Sequence, residues 1–225
     1  MIMDLVEKWD KSHSEIPKDR STSRYAIERE EEFPDNSLVL DLGGGTGADA
    51  IYFLQKGHKV ILVDISDYAL KLAAKKAFES GFDLDTRQSN IGENPIPVDD
   101  DLINVVYSRL TLHYFNRQQT VDILKEVMRV MKVEGRAFIT IKSPKDEKEM
   151  AFLKSTAQET ENGIFKDGEE IKSRFTKEQW EQILQEAGVT NYKVEEYEED
   201  LSGRTDKVKS GAGNLLLTEI SITKP

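Results

Sequence analysis

Four glycines fall within five positions, Gly43-Gly44-Gly45-Thr46-Gly47, and an aspartate stands on either side, Asp41 before the run and Asp49 after it. Glycine admits positive φ and lets a ligand lie against bare backbone. A run of this kind, placed where a strand turns into a helix, therefore suits a nucleotide-containing ligand; the competing reading is a tight turn that binds nothing. Gly43, Gly45 and Ala48 also satisfy the dinucleotide pattern G-x-G-x-x-A. The acids argue against a dinucleotide. A pyrophosphate on the helix N-terminus would sit beside both carboxylates, and like charges about 4–6 Å apart in a partly buried site cost on the order of several kcal/mol. A nucleoside carrying positive charge in place of phosphate suits them. A third acid, Asp64, closes the apolar run Val60-Ile61-Leu62-Val63. A carboxylate at that point can accept two hydrogen bonds from ribose hydroxyls, each worth about 1.5–3 kcal/mol. Its alternative is to cap the following helix, which Ser66 can also do.

The surrounding elements have to place these residues at the ends of parallel strands. Residues 37–42 read as a buried strand, 47–56 as a short helix stopped by Gly57, and 58–64 as a second buried strand. A helix over 67–80 turns Tyr68, Leu70, Leu72, Ala73 and Ala77 inward, and strands follow at 84–88 and 101–108. Asn116 with Gln119 is a capping box that opens a helix to about Met131, and Gly135 leads into a strand over 136–141. A second capping box, Thr176 with Gln179, opens a helix carrying Trp180, Ile183 and Leu184 inward as far as Gly188. Residues 192–197 and 215–222 then form two strands with no helix between them, so they pair as a hairpin. Alternation of this kind gives a doubly wound α/β sheet, mostly parallel and covered on both faces.

The chain of 225 residues suits one domain, with residues 1–36 as an N-terminal helical lid segment and 143–175 as a cap insertion; the competing reading of 143–175 is a surface helix plus a loop. Trp9, Tyr25 and Ile27 are the apolar anchors of the first segment, and Glu28–Glu32 is a solvated charge run. A net charge of −11 disfavours nucleic acid as a partner. With no cysteine, disulfides, thiolate zinc sites and cysteine nucleophiles are excluded. No apolar run reaches membrane-spanning length and the N-terminus is unlike a signal peptide, so a cytoplasmic location is expected. His13 and His58 are read as surface residues, and three scattered histidines make no metal site.

S-adenosylmethionine carries an ammonium and a sulfonium and no phosphate. The sequence resembles the class I methyltransferases that use it. Leu38–Gly47 is similar to that family's first motif and Val63-Asp64-Ile65-Ser66 to its second. Pro95-Ile96-Pro97 with Ile103–Ser108 resembles its fourth strand and the approach to it, and Leu124–Gly135 the helix and turn before the fifth strand. The resemblance implies a Rossmann-like, seven-stranded, mostly parallel sheet with an antiparallel C-terminal strand. It implies an S-adenosylmethionine site drawn from Asp41, Leu42, Gly43, Gly44, Gly45, Gly47, Asp64, Ile65, Ser66, Asn90, Ile91 and Ser108. In it Asp41 and the glycine backbone hold the methionyl part, Asp64 takes the ribose, and Ile65, Asn90 and Ile91 lie along the adenine. Asn90 stands where many relatives have aspartate, Asn104 likewise, and Glu134-Gly135 replaces a usual pair of glycines.

The implied activity is methyl transfer to a small molecule by in-line displacement. The alternatives are an NAD(P)-dependent oxidoreductase, which the acids disfavour, and a non-catalytic module that binds S-adenosylmethionine. Residues 108–115 then face the methyl end of the cofactor. His113 is either a general base or a structural histidine beside the cofactor. Arg109 either binds a substrate carboxylate or pairs with a surface acid. Tyr114 and Phe115 are packing residues or substrate contacts, and Trp9 and Tyr25 either contact the cofactor or anchor the first segment, anchoring being the favoured reading for Trp9.

Overall fold

In the computed structural model, which describes residues 2–15, 20–168, 170–200 and 214–225, the chain opens with two helices, α1 (Ile2–Ser14) and α2 (Arg24–Glu30). The alternation anticipated from the sequence follows: β1 (Leu38–Leu42), α3 (Ala48–Gln55), β2 (Lys59–Asp64), α4 (Asp67–Glu79), β3 (Asp85–Gln88), β4 (Ile103–Arg109), a 3₁₀ turn at Leu112–Tyr114, α5 (Arg117–Val130) and β5 (Met131–Lys142). Beyond β5 come α6 (Glu147–Thr156) and three short strands, β6 (Gln158–Glu161), β7 (Ile164–Asp167) and β8 (Glu170–Ser173). The chain closes with α7 (Lys177–Glu186), β9 (Tyr192–Asp200) and β10 (Asn214–Thr223). Among the described residues no helix is long and apolar enough to cross a membrane.

The main sheet has seven strands in the order β3-β2-β1-β4-β5-β10-β9. β10 runs antiparallel to both β5 and β9, and is the reversed strand that the closing hairpin required. Chain order reverses between β1 and β4, so their carboxyl ends diverge and leave a crevice, the position at which open α/β sheets bind ligands. Side chains alternate across the sheet. Leu40, Leu42, Val106 and Ile139 pack with α5 and with Trp180, Ile183 and Leu184 of α7. Val39, Leu62, Tyr107 and Phe138 pack with Phe53 of α3, Ala73 of α4 and Tyr25 of α2. Both capping boxes form, at Asn116–Gln119 and at Thr176–Gln179.

Three readings are corrected. β5 starts at Met131, five residues before the expected strand, because Met131 already pairs with Ile103. Glu134 takes the positive φ (63°) where relatives carry glycine, and its N–H donates to the Lys224 carbonyl. His58 is buried: its Nδ1 accepts from the Ser37 N–H (3.2 Å) and its Nε2 faces Glu30 (3.2 Å). Ile27 is exposed and anchors nothing, whereas Tyr25 is fully buried and donates to Glu219 (2.9 Å).

Candidate cofactor site

Each part of the glycine loop has a physical task. The Gly43 N–H donates to the Val63 carbonyl (2.7 Å), which bends the chain from β1 across the end of β2. Gly43, Gly45 and Gly47 hold φ of 75°, 55° and 76°, where any side chain is strained. At Gly44 the requirement is space, since a Cβ there would fall 2.4 Å from Asp41 Oδ2. Asp41 therefore lies directly beneath the loop.

Asp64 at the end of β2 accepts the Gly45 N–H on Oδ2 and the Ser66 N–H on Oδ1, both at 2.9 Å. It thus pins the loop to the start of α4. Asp49 is held differently: it accepts from the Ser23 N–H (2.7 Å), the Ser23 hydroxyl (2.8 Å) and the Tyr107 hydroxyl (2.8 Å), a network that ties α2 to α3 and β4. Asp41 is the exception. It is 2% exposed, and its Oδ2 has no hydrogen-bond partner among the described residues. Burial, followed by the charges of Asp49 and Asp64, pushes its carboxyl well above the usual range. A buried acid facing two other acids without a donor is a costly arrangement unless a ligand brings positive charge. The ammonium and sulfonium of S-adenosylmethionine meet that need and a pyrophosphate does not.

These residues open onto a cavity of about 490 Å³, within the range of small-molecule sites. Asp41, Gly43, Gly44, Gly45, Asp64, Ile65, Asn90 and Ile91 all line it, as do Arg109, Tyr114 and Phe115. The Asn90 Oδ1 accepts the Gly92 N–H (3.2 Å) and shapes the loop after β3.

Five residues of the expected site are elsewhere. Leu42 packs into the core, and its carbonyl accepts the Ser108 hydroxyl (2.8 Å), so Ser108 is consumed in joining β1 to β4. Gly47 opens α3 against α4, where a Cβ would lie 2.7 Å from Ala73 Cβ. Ser66 caps α4 by accepting the Ala69 N–H and donates to Asp10 (2.6 Å). His113 is 2% exposed, lies outside the cavity lining and packs against the Tyr114 ring (4.2 Å). Burial and the nearby cations Arg174, Lys142 and Lys172 hold its imidazole well below the ordinary pKa. Arg109 reaches the cavity, but its Nε (3.2 Å) and Nη2 (2.5 Å) both donate to the fully buried Glu199. Arg109 thus pairs with an acid, as one of its two readings expected, but that acid is buried and not on the surface.

Sequence reasoning named residues 1–36 as a lid segment but not the residues of α1 that roof the cavity. Leu5, Lys8, Trp9, Ser12 and His13 occupy one face of α1 and all line it. His13, read as a surface residue, points Nε2 at Asp64 (3.9 Å). Burial lowers its pKa, against the pull of Asp64. The five positions repeat at helical spacing, a signal present in the sequence but hidden by the mixed polarity of the side chains. The opposite wall comes from Glu170 and Ile171 of β8.

Residues 39–135 match the family profile described as Methyltransferase domain. The uncharacterized methyltransferase YcgJ of Bacillus subtilis is 31% identical over 98 residues, which cover 44% of this chain and 38% of the length of that relative. Two solved structures share the fold at low identity. A protein of echinomycin biosynthesis superposes with a TM-score of 0.76 at 17% identity, covering 98% of this chain and 92% of its own. The 1,6-didemethyltoxoflavin-N1-methyltransferase of Burkholderia thailandensis, solved with S-adenosylhomocysteine, superposes with a TM-score of 0.70 at 16% identity over 99% of this chain and 86% of that one. With the glycine loop, the three acids and the reversed last strand in place, residues 39–135 match a methyltransferase domain, and the chain has the fold of the class I S-adenosylmethionine-dependent methyltransferases.

Proposed function

We propose that the chain transfers the methyl group of S-adenosylmethionine to a small-molecule acceptor. The observation that carries the cofactor half of this reading is the buried, donor-less Asp41 facing Asp49 and Asp64. Asp41 and the backbone of Gly43–Gly45 would hold the methionyl part, Asp64 the ribose, and Ile65, Asn90 and Ile91 the adenine. When bound, the cofactor supplies a methyl carbon activated by a positive sulfur, open to in-line displacement by an acceptor lone pair. The protein's share is positioning and exclusion of water, which supply about 7–11 kcal/mol without a catalytic acid or base. α1 and β8 serve as the cover, bridged by Lys8 and Glu170 (3.5 Å).

The small-molecule half rests on that cover and on the acidic balance of the chain, −11 overall, which repels phosphodiester backbones. The structurally similar Burkholderia thailandensis enzyme is an N1-methyltransferase solved with the small molecule 1,6-didemethyltoxoflavin bound. Incubation with tritiated S-adenosylmethionine and a fractionated cell extract tests the reading. Label is expected in the small-molecule fraction; label confined to protein or RNA would overturn the acceptor assignment.

A further inference from the structure

α1 lays a track across the carboxyl ends of the strands. At its C-terminal end His13 meets Asp64, which follows β2. One turn earlier the Trp9 ring meets the Tyr114 ring edge-on (4.8 Å, 81°), in the turn that follows β4. Lys8 then bridges to Glu170 of β8. The acids that suit the cofactor thus lie towards one end of the track, and a chamber walled by Trp9, Tyr114, Leu110 and Ile171 lies towards the other.

The charges around this chamber are already committed. Among the described residues, the cations lining the cavity are Lys8, Arg20 and Arg109, joined by His13 when protonated. Lys8 is held by Glu170, and the Nε–Nη2 edge of Arg109 is held by Glu199. His13 faces Asp64, and the charge of Arg20 acts on His13, which places both at the cofactor end. Drawing Arg109 onto an acidic substrate would break its buried ion pair with Glu199. Asp41, Asp49, Asp64, Glu93 and Glu170 make the lining acidic in balance. Trp9, Tyr114, Leu110 and Ile171 give aromatic and aliphatic surface beside Thr111, which favours a flat ring packed against Trp9 and Tyr114.

Building on the methyl-transfer reading, we propose that this chamber selects a neutral, flat aromatic acceptor, held by Trp9, Tyr114 and Ile171, and rejects the anionic analogue of the same shape. Three probes of matched size separate charge from flatness: 2-naphthol, 2-naphthoate and decahydro-2-naphthol. Their affinities are measured by equilibrium dialysis against the full chain saturated with S-adenosylhomocysteine. Naphthol is expected to bind about thirtyfold more tightly than naphthoate, the cost of an unpaired charge in this lining. It is expected to bind about tenfold more tightly than the saturated alcohol, which has no ring face to offer. In Trp9→Leu and in Ile171→Ala the naphthol affinity should fall about five- to tenfold relative to that of S-adenosylhomocysteine on the same sample. Naphthoate binding as well as naphthol, the saturated alcohol binding equally, or no naphthol binding at all would overturn the proposal. The comparison of ligands on the unmodified chain does not depend on either variant folding. Calorimetry with S-adenosylhomocysteine alone keeps the two levels apart: if it fails to bind, the cofactor reading falls; if it binds and the aromatic preference is missing, only the acceptor class falls.

Discussion

An Asp64→Ala variant should lose affinity for S-adenosylhomocysteine by about a hundredfold or more, the loss expected from two charge-assisted hydrogen bonds of about 1.5–3 kcal/mol each. In the structure the same carboxylate accepts the Gly45 and Ser66 N–H groups, so the truncation also unpins the glycine loop from α4. Both effects act in the same direction. They can be told apart by thermal unfolding without ligand, which reads the loop contribution alone, and by calorimetry, which reads the two together. His13 loses its carboxylate as well, and α1 is then held to this end of the sheet by Asp10, which accepts from Ser66 and from the Tyr68 N–H (3.1 Å). Unchanged affinity would show that the acid after β2 is a structural pin and no more.

Asp41→Asn is expected to part stability from binding. The folded protein raises the pKa of this carboxyl through burial and the neighbouring charges of Asp49 and Asp64. For a group with a raised folded pKa, the stability it contributes is fully present below the unfolded carboxylate pKa and is lost as pH rises through the folded value. At neutral pH the ionised form is therefore a net cost to the protein without its cofactor. Asparagine keeps the shape and removes the charge. Without ligand the variant should gain stability on the order of 1–2 kcal/mol, of the kind released when a strained functional group is neutralised. Its affinity for S-adenosylmethionine should fall about tenfold or more, because a charge-assisted partner for the ammonium is gone. Denaturant unfolding at pH 7 and calorimetry measure the two effects. A variant both less stable and equally able to bind would contradict this role for Asp41.

What the sequence disclosed and what it hid divide along chain separation. The glycine loop, Asp41 and Asp64 belong to one β-α-β unit, so local pattern places them together: glycines at a strand end, an acid at the next strand end, apolar runs between. The reversed β10 was legible because the sequence between the two last strand patterns carries no helical pattern. The partners that cross the molecule were not. Arg109 and Glu199 lie 90 residues apart, and nothing near either one names the other. His13 and Trp9 read as ordinary members of a polar helix, and only the docking of α1 over the strand ends turns them towards the cavity. His113 has the right chemistry and position in sequence, yet the 3₁₀ turn directs it into the interior and gives the cavity to Tyr114. Residues 158–173 were open to reading as a surface loop because β6 is wholly polar; Gly163 at φ 78° turns β6 into β7 and Gly168 at φ 61° turns β7 into β8, making the three-stranded sheet.

The claim on which the rest depends is that three acids at the ends of β1 and β2 and the start of α3 make this a site for a cationic nucleoside. Titration calorimetry at pH 7 with S-adenosylmethionine and with NADH, each run in two buffers of different ionisation enthalpy, tests it directly. S-adenosylmethionine should give saturable heat in both buffers, because its positive charge meets the carboxylates that line the cavity. NADH should give no saturable heat. Binding of NADH with affinity equal to or above that of S-adenosylmethionine would contradict the account.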